Sequence, residues 1–308
     1  MKTSLITATI ALLFMVGCSR GSNQERNKGP ATKGYLAQSL GLLKPLHKKL
    51  PPPRSGDWLE THAEDGQTYR QWLDYQPTRP TDKRKTIYIQ PIGNFTDKQR
   101  RIVKLTAEYM ELFFNLPVNV RDPLPLSLIP GKAQRVHWEN EQLLTTYILD
   151  DILTPRLPDD GAAILALTAM DLWPGDGWNF VFGQASLVNR VGVWSMARYG
   201  KPSSDFNRVL LRTIKTATHE TGHMFSVQHC TKYRCTMCGS NSMDESDRHP
   251  VWLCPECHAK VCDLTDCDPV KRFLALADFW DKREMTYQAE FFKKSASALE
   301  SLQKPTGL

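Results

Sequence analysis

Apolar and polar residues alternate along the middle of the chain with the periods of strands and helices. Lys85 to Ile92 is rich in β-branched and aromatic residues and ends at Gly93, which predicts a buried strand. Thr96 then caps a helix whose apolar residues recur at helical spacing, namely Ile102, Leu105, Tyr109, Leu112 and Phe113. A second helix and three more strands are predicted at Glu141 to Leu153, Pro117 to Val120, Ala162 to Leu167 and Val191 to Arg198. This order predicts an α/β protein, with a mixed sheet if the last strands pair antiparallel.

The carboxyl-terminal half is predicted to be mainly helical. One helix begins at Asp205 and runs to about Phe225. Another follows the cap Asp268, whose successor Pro269 suits the first helical turn. The apolar residues of this second helix keep core spacing, which predicts packing against the body. Gln288 to Lys304 is more polar, so this segment is predicted to project or fray.

The first residues have the pattern of a secretory leader. Lys2 precedes an apolar stretch from about Leu5 to Val16, which is shorter than the roughly 20 residues that a membrane-spanning helix needs. Met15-Val16-Gly17-Cys18 resembles the bacterial lipobox, which implies a signal peptide at residues 1–17 and lipidation of Cys18. We therefore expect a lipid-anchored protein of the bacterial cell envelope, on the periplasmic face of the outer membrane in a Gram-negative cell. A short uncleaved membrane anchor is the alternative.

Composition and charge divide the remaining chain into a basic tether and a folded domain. The 308 residues are 41% hydrophobic and 23% charged, which excludes wholesale disorder. The formal net charge of +6 is concentrated between Ser19 and Gly56, where eight basic residues accompany one acidic residue. Because the chain from Asp57 onward is close to neutral, we expect no nucleic-acid partner. We predict a flexible tether at residues 18–56 and one domain at residues 57–308.

The motif that carries chemistry lies on the helix that begins at Asp205. His219-Glu220-Thr221-Gly222-His223 is an HExxH pattern, and four residues advance a helix by about one turn, so both imidazoles project from one face. A chain reversal near Ser226 would bring His229 to the same ion. Three neutral imidazoles leave a zinc position open, as catalysis requires, and Glu220 can act as general base toward a zinc-activated water. These residues predict a zinc-dependent peptidase.

This stretch resembles the archaemetzincins, zinc peptidases of the metzincin clan. The family pattern is HExxHxxGxxHC, then CxM, then CxxC, and this chain continues its HExxH with His229-Cys230, Cys235-Thr236-Met237 and Cys254-Pro255-Glu256-Cys257. The resemblance covers roughly residues 85–280. It implies these roles: His219, His223 and His229 bind a catalytic zinc, Glu220 is the general base, Met237 is the Met-turn residue, and Cys230, Cys235, Cys254 and Cys257 bind a structural zinc. Two Zn²⁺ ions per chain and a peptide or protein substrate are therefore expected.

The resemblance also implies an architecture. A mixed twisted sheet is expected above the active-site helix, with a zinc-stabilised and mainly helical half after it. The upper subdomain would span about residues 85–225 and the lower subdomain about residues 226–308. An edge strand around Phe182 to Trp194 would pair with an extended substrate by strand addition.

Three features of the motif leave alternatives open. Ser226 replaces the family's glycine at the helix break, where a non-glycine residue with a positive φ costs about 1 kcal/mol. Cys238 is a rival to Cys230 because it forms a CxxC pair that also satisfies a zinc-ribbon spacing. Cys262 and Cys267 could form a local disulfide, and an oxidising compartment would permit a wholly disulfide-bonded arrangement.

Two other classes of function stay open at this point. A non-catalytic envelope lipoprotein could use the same frame to bind peptide or metal, and an adaptor module could use the cysteine site alone. Glu220 favours the peptidase, because a purely structural metal site needs no adjacent base. The adaptor hypothesis predicts one zinc per chain, whereas the peptidase hypothesis predicts two.

Overall fold

The computed structural model describes residues 33–303. Ten α-helices occur in this part of the chain: α1 Lys33–Leu43, α2 Trp58–Thr61, α3 Tyr69–Asp74, α4 Asp97–Phe114, α5 Thr145–Tyr147, α6 Phe206–Met224, α7 Met243–Arg248, α8 Pro255–Thr265, α9 Pro269–Asp281 and α10 Thr286–Gln303. A π-helical segment, Ile148–Leu153, continues α5. Short 3₁₀ helices lie at Lys44–Leu46, Leu126–Leu128, Gly131–Ala133 and Thr154–Arg156. None of the described helices combines the length and the hydropathy that a membrane span requires.

Eight strands of the described residues form two sheets. The strands are β1 Thr86–Ile92, β2 Val118–Val120, β3 Gln134–His137, β4 Asn140–Leu144, β5 Gly161–Thr168, β6 Asp171–Trp173, β7 Gly183–Ala185 and β8 Val191–Ser195. The larger sheet has the order β2-β1-β5-β8-β7, and the smaller has the order β3-β4-β6. The first four strands of the larger sheet are parallel, and β7 runs antiparallel to β8 at its edge. The mixed α/β sheet predicted from the sequence is confirmed.

The larger sheet is buried on both faces, which places α6 against it. All eight residues of β5 are buried. Leu165 and Leu167 join a large apolar cluster with α4, α6 and the carboxyl-terminal helices, whereas Ile164 and Ala166 face a smaller cluster with the π-helical segment. Alternate side chains of a strand point to opposite faces, so one strand serves both clusters. Because α6 contacts β5, β7 and β8, its HExxH residues lie beside the edge of the sheet.

Two predicted helix starts are confirmed by their caps. Thr96 accepts a hydrogen bond from the Gln99 backbone, and the Gln99 side chain accepts one from the Thr96 backbone, which completes a capping box before α4. Asp268 accepts hydrogen bonds from the backbone amides of Val270 and Lys271 before α9. Both caps satisfy amides that a helix leaves without an internal partner.

The helix predicted at Glu141 to Leu153 is wrong in its first part. Residues up to Leu144 form β4, which pairs antiparallel with β3 and parallel with β6, and helical structure begins only at α5. The turn between β3 and β4 has positive φ angles at Trp138 and Glu139, the conformation of a tight hairpin turn. A short apolar run fits both periods, and pairing with the hairpin partner β3 and the more distant β6 decided the outcome.

The tether predicted at residues 18–56 is wrong from residue 33 onward. Leu36 and Leu43 on α1 are fully buried and contact the core between α8 and α10. The basic residues that suggested a tether leave one face of α1 apolar, and the carboxyl-terminal helices cover that face. The leader and Cys18 lie outside the described residues.

The projecting segment predicted at Gln288 to Lys304 is also corrected. Its described part belongs to α10, which packs along α9 and buries four apolar residues at helical spacing: Ala289, Phe292, Ala296 and Leu299. Two of the four are alanines, which add little hydropathy to an otherwise polar segment. The packing partner, more than the composition, holds this helix in place.

Candidate active site and metal centres

The chain folds α6 and the reversal after it as one local unit. Asp205 caps the helix by accepting a hydrogen bond from the Arg208 backbone. At the other end, the Ser226 amide donates to His223 O and the Val227 amide donates to Gly222 O. This pair of bonds is the Schellman pattern, which reverses the chain after a helix. The reversal predicted near Ser226 is therefore present.

Ser226 adopts a left-handed φ of 63°, the conformation for which the family pattern has glycine. Its hydroxyl compensates for the strain, because Oγ donates to Leu187 O at 3.0 Å and accepts from the Thr78 amide at 3.1 Å. The side chain is buried. Serine lacks the conformational freedom of glycine, but its hydroxyl forms two tertiary hydrogen bonds. These bonds hold the turn that leads to the third histidine.

Replacing Ser226 should separate these two effects. Ser226→Ala keeps the left-handed strain and leaves a buried amide and a carbonyl unpaired, so we expect a loss of about 2 kcal/mol of unfolding free energy. Ser226→Gly loses the same bonds but relieves about 1 kcal/mol of backbone strain. Denaturant unfolding should therefore rank wild type above Gly and Gly above Ala. Equal stability of the two variants would mean that the backbone at this turn is unstrained.

The three predicted ligand histidines converge on one point. The donor nitrogens of His219, His223 and His229 lie within 4.8 Å of one another. The ring centroid of His229 lies 5.3 Å from that of His219 and 4.8 Å from that of His223. The side chains are half-buried, so the point of convergence can be reached from solvent. The reversal at Ser226 thus returns the third imidazole to the pair on α6.

Each imidazole is oriented through its Nδ1 atom. Nδ1 of His219 lies 2.8 Å from Thr236 O, and Nδ1 of His223 lies 2.7 Å from Val227 O. A carbonyl can only accept, so both Nδ1 atoms carry the ring proton, which leaves a bare lone pair on each Nε2. Nδ1 of His229 lies 3.0 Å from both carboxylate oxygens of Glu64. This is the orientation that metal-ligating histidines need.

The charge state of the histidines also fits a cation. Burial, together with the nearby His229, lowers the pKa of His219 to about 3, and burial lowers the pKa of His223 far below its usual range. Both rings are therefore neutral at pH 7. Their Nε2 atoms, each with an exposed lone pair, lie 3.0 Å apart. Two facing lone pairs repel, and a cation between them removes that repulsion, so these residues fit a zinc ion.

Glu220 is buried beside the histidines and against β7. Burial raises the pKa of its carboxyl to about 8. A Cβ atom at Gly183 would lie 2.5 Å from the Glu220 Oε1 atom, so the missing side chain of this glycine makes room for the carboxyl group. Sequence reasoning did not single out Gly183, because its role depends on a contact between a strand and a helix.

Met237 lies beneath the histidine pair. It is 1% exposed, and a Cβ atom at Gly222 would approach its Sδ atom to 2.7 Å. Glycine at this position of the HExxH motif therefore lets the thioether pack directly on α6. The Cys230 amide donates to Met237 O at 2.8 Å and ties the loop that carries Met237 to the chain that follows His229.

Four thiols form a second cluster below α6. The Sγ atoms of Cys230, Cys235, Cys254 and Cys257 lie within 4.8 Å of one another, and all four residues are buried. Backbone amides of Met237 and Cys254 donate to the Cys235 sulfur at 3.4 Å and 3.1 Å. Hydrogen bonds from neighbouring thiols, first among them Cys235, lower the pKa of Cys230, whereas burial raises the pKa of Cys235. Four thiols held this close together are the donor set of a closed structural zinc site.

The rival cysteine stands outside this cluster. Cys238 uses its thiol as a donor to the carbonyls of Cys230 and Tyr233, both at 3.2 Å. Cys262 and Cys267 are buried free thiols, so the local disulfide considered for them is not formed. The seven cysteines of the described residues are all free, which leaves the disulfide-bonded arrangement without support.

Comparison with known proteins decides the family. A family model described as Peptidase family M54 matches residues 121–263. Archaemetzincin-2 of Rattus norvegicus is 35% identical over 285 residues, which cover 81% of this chain and 79% of the relative. This chain belongs to the archaemetzincin family. The archaemetzincin of Thermococcus kodakarensis is 32% identical over 185 residues, which cover 58% of this chain and 95% of the relative. A crystal structure of the Archaeoglobus fulgidus archaemetzincin with malonate covers 57% of this chain and 99% of its own, at 31% identity and a TM-score of 0.46.

Family membership makes this archaemetzincin a zinc-dependent metallopeptidase, a hydrolase of peptide bonds in peptides or proteins. The predictions of family, enzyme class and zinc chemistry are confirmed. The non-catalytic lipoprotein hypothesis is not favoured by these relatives.

Residues before β1 also contribute to the site, and sequence reasoning missed them. Trp58 on α2 stacks on His62 with ring centroids 3.9 Å apart, and its ring meets His229 edge-on at 5.1 Å. Glu64 holds the Nδ1 atom of the same histidine. No local pattern marks these residues, because Glu64 lies 165 positions before its partner.

The histidines and Glu220 open into a cavity of about 630 Å³. Its lining includes the stretch from Trp178 to Ala185, which contains the edge strand β7, and residues 238–241. Within the described residues β7 is the last strand of the larger sheet. It falls inside the range Phe182 to Trp194, where a substrate-pairing edge was expected.

Proposed function

We propose that this metallopeptidase holds a catalytic zinc on His219, His223 and His229, with Glu220 as the general base. The observation that carries the proposal is the convergence of three imidazoles whose Nδ1 atoms are all engaged, so that their Nε2 lone pairs remain for the metal. A second zinc on the four clustered thiols would stabilise the lower part of the domain.

Bound zinc would supply a Lewis acid that activates water and polarises the scissile carbonyl. Glu220 would remove a proton from the attacking water and pass it to the leaving amine. Its burial excludes bulk water and by itself favours the protonated carboxyl, and the positive charge of a bound zinc ion would restore the carboxylate that accepts the proton. The peptide would extend along β7 and pair with its free edge, which fixes the scissile bond over Glu220.

Metal analysis of the purified protein tests the number of sites. We expect about two zinc ions per chain, one of which a chelator removes readily with complete loss of cleavage across a peptide library. Re-addition of zinc should restore cleavage. One zinc per chain, retained on the cysteines while the library stays uncut, would favour the adaptor hypothesis.

Glu64 is expected to increase the affinity of the three-histidine site for its zinc ion. A carboxylate on the Nδ1 atom of a ligating histidine fixes the ring and raises its basicity, and losing such a partner costs about 10–100-fold in metal affinity. Glu64→Ala should weaken catalytic zinc binding by about that factor, and Glu64→Gln, which keeps an acceptor, should weaken it less. Titration against a chelator of known affinity measures this, with Asp65→Ala as the control. Equal affinities in all four proteins would contradict the role of Glu64.

We further propose that Cys18 is lipidated and anchors the enzyme to the bacterial cell envelope, with residues 1–17 as the signal peptide. The support is the lipobox-like sequence Met15-Val16-Gly17-Cys18 after an apolar stretch. Labelled fatty acid should be incorporated into the wild-type protein and not into Cys18→Ala, and only the wild type should sediment with membranes. Equal sedimentation of both proteins would contradict the anchor.

A further inference from the structure

The active-site cavity carries one ammonium group close to the predicted catalytic centre. Among the described residues that line the cavity, Lys215 is the only Lys or Arg, and Glu220 is the only Asp or Glu. Lys215 lies four residues before His219 on α6, so both side chains leave the same face, roughly 6 Å apart along the helix axis. An extended peptide advances about 3.3 Å per residue. The ammonium group is therefore within reach of the residues that flank the scissile bond.

Within residues 33–303, the Lys215 ammonium group has fewer hydrogen-bond acceptors than it has N–H donors. Nζ donates to the carbonyl of Ser246 and, at 3.4 Å, to the carbonyl of His249. An ammonium group has three N–H donors, so one donor has no acceptor among residues 33–303. Lys215 is only 6% exposed, and a buried donor without a partner is costly. A ligand in the cavity can supply the missing acceptor.

Lys215 also lacks a counter-ion within the described part of the chain. Asp247 is near enough to influence it electrostatically, but both carboxylate oxygens of Asp247 are bound by the guanidinium of Arg212. Burial lowers the pKa of Lys215 to about 8, so the group is still mainly protonated at neutral pH. The cavity therefore contains a buried positive charge that is not paired with a carboxylate of residues 33–303.

A second buried nitrogen belongs to His249, whose backbone carbonyl lies 3.4 Å from the Lys215 Nζ atom. Nδ1 of His249 is buried and has no hydrogen-bond partner among the described residues, and His249 lines the same cavity. Burial lowers its pKa to about 4, so the ring is neutral and can carry its proton on Nδ1. One ammonium group and one imidazole N–H match the two oxygens of a carboxylate.

We propose that Lys215 and His249 form a subsite that binds a carboxylate of the substrate beside the scissile bond. The inference rests on the proposed peptidase function and adds a substrate class to it. The carboxylate belongs either to an aspartate or glutamate side chain or to the free carboxyl terminus of a short peptide, and both sources present the same chemistry to the subsite.

Matched peptides distinguish the two sources. One cleaved library sequence is synthesised with Glu, Gln or Leu at each position that flanks the scissile bond. Each of these peptides is made twice, once with a free and once with an amidated carboxyl terminus. A charged hydrogen bond supports a preference of about 10–100-fold in kcat/KM for the carboxylate over its amide. A Glu preference at one flanking position identifies the side chain, and a preference for the free terminus identifies the carboxyl end.

Variants of Lys215 link the preference to this residue. Lys215→Met removes the charge at similar length, and the ratio of carboxylate to amide substrates should fall to about one. Lys215→Arg keeps the charge and should retain part of the ratio. A lysine that only ties α6 to the carbonyls of α7 and the following residue would change stability or total activity without changing this ratio. Zinc content and unfolding midpoints control for folding.

Binding measurements keep this test separate from catalysis. The Kd values of the same peptides are measured on zinc-loaded Glu220→Gln protein, with and without Lys215→Met. If no library peptide is cleaved, the peptidase proposal fails, and the Kd ratio of carboxylate to amide versions of a library peptide that binds still decides the subsite. If peptides are cleaved but neither kcat/KM nor Kd distinguishes the carboxylate from its amide in the otherwise unaltered protein, the subsite is wrong. This last comparison needs no Lys215 variant and so does not depend on that variant folding.

Discussion

Glu220→Ala is expected to lower kcat for peptide hydrolysis by about 10²–10⁴-fold, while the zinc content stays that of the wild type. This range is the usual contribution of a positioned general acid or base. The carboxyl group is buried beside β7 and is the only acidic side chain among the described residues that line the cavity. No neighbouring carboxylate of the described chain can therefore take over its proton transfer. The proposed zinc ligands are His side chains oriented by other groups, so the metal should remain bound.

Two controls sharpen this result. Glu220→Gln keeps the size and polarity of the side chain but cannot accept the proton, so it should lose as much activity as the alanine variant. Glu290→Ala removes an exposed carboxylate on α10 and should leave hydrolysis unchanged. Steady-state kinetics on a cleaved library peptide and metal analysis of the same samples measure both quantities. Near-wild-type cleavage by Glu220→Gln would remove Glu220 from its proposed role.

Cys254→Ala, a change within the four-thiol cluster, should destabilise the domain more than replacement of any described cysteine outside the cluster. Structural zinc contributes about 10–16 kcal/mol to the folding of small zinc domains. Losing even a quarter of that amounts to about 3 kcal/mol, or roughly 6–12 °C in the unfolding midpoint of a domain of this size. Cys254 also caps α8 by accepting from the Cys257 amide. The loss should be accompanied by release of one zinc per chain.

Cys238→Ala is the matched control, because Cys238 is also a buried thiol next to the cluster. It loses one weak S–H donor shared between two carbonyls, which should cost about 1 kcal/mol without loss of metal. Cys262→Ala, farther along α8, should likewise keep both metals and cost less than Cys254→Ala. Thermal unfolding with zinc analysis compares the three variants. A larger loss of stability and zinc in Cys238→Ala than in Cys254→Ala would overturn the assignment of the cysteines.

Local periodicity was sufficient for most of the strands and helices. The buried strand β5 and the capped helices α4 and α9 need only neighbours in sequence for their signals, namely an apolar run and a capping side chain. The secondary-structure predictions that failed concern segments whose structure depends on contacts with other strands and helices. Residues 140–144 became a strand because β3 and β6 flank them, and α1 and α10 were stabilised by each other and by α8 and α9.

The site divides in the same way. The spacing of His219 and His223 on one helix is a property of the sequence, since an α-helix repeats every 3.6 residues. The position of His229 depends on a Schellman turn at Ser226, whose strain is offset by bonds to Leu187 and Thr78. The sequence predicted the need for this reversal but contained no sign of the hydrogen bonds that make serine acceptable there.

By itself the sequence determined the family, the α/β class, the zinc-peptidase chemistry and the candidate ligands, because these depend on residue type and on spacing within one helix or one short motif. Only the tertiary structure separated Cys238 from the four clustered thiols, placed Glu64 on the third imidazole and brought Lys215 into the cavity beside the histidines. These features join residues that are far apart in the chain. Packing of the whole domain fixes such contacts, and no local pattern encodes them.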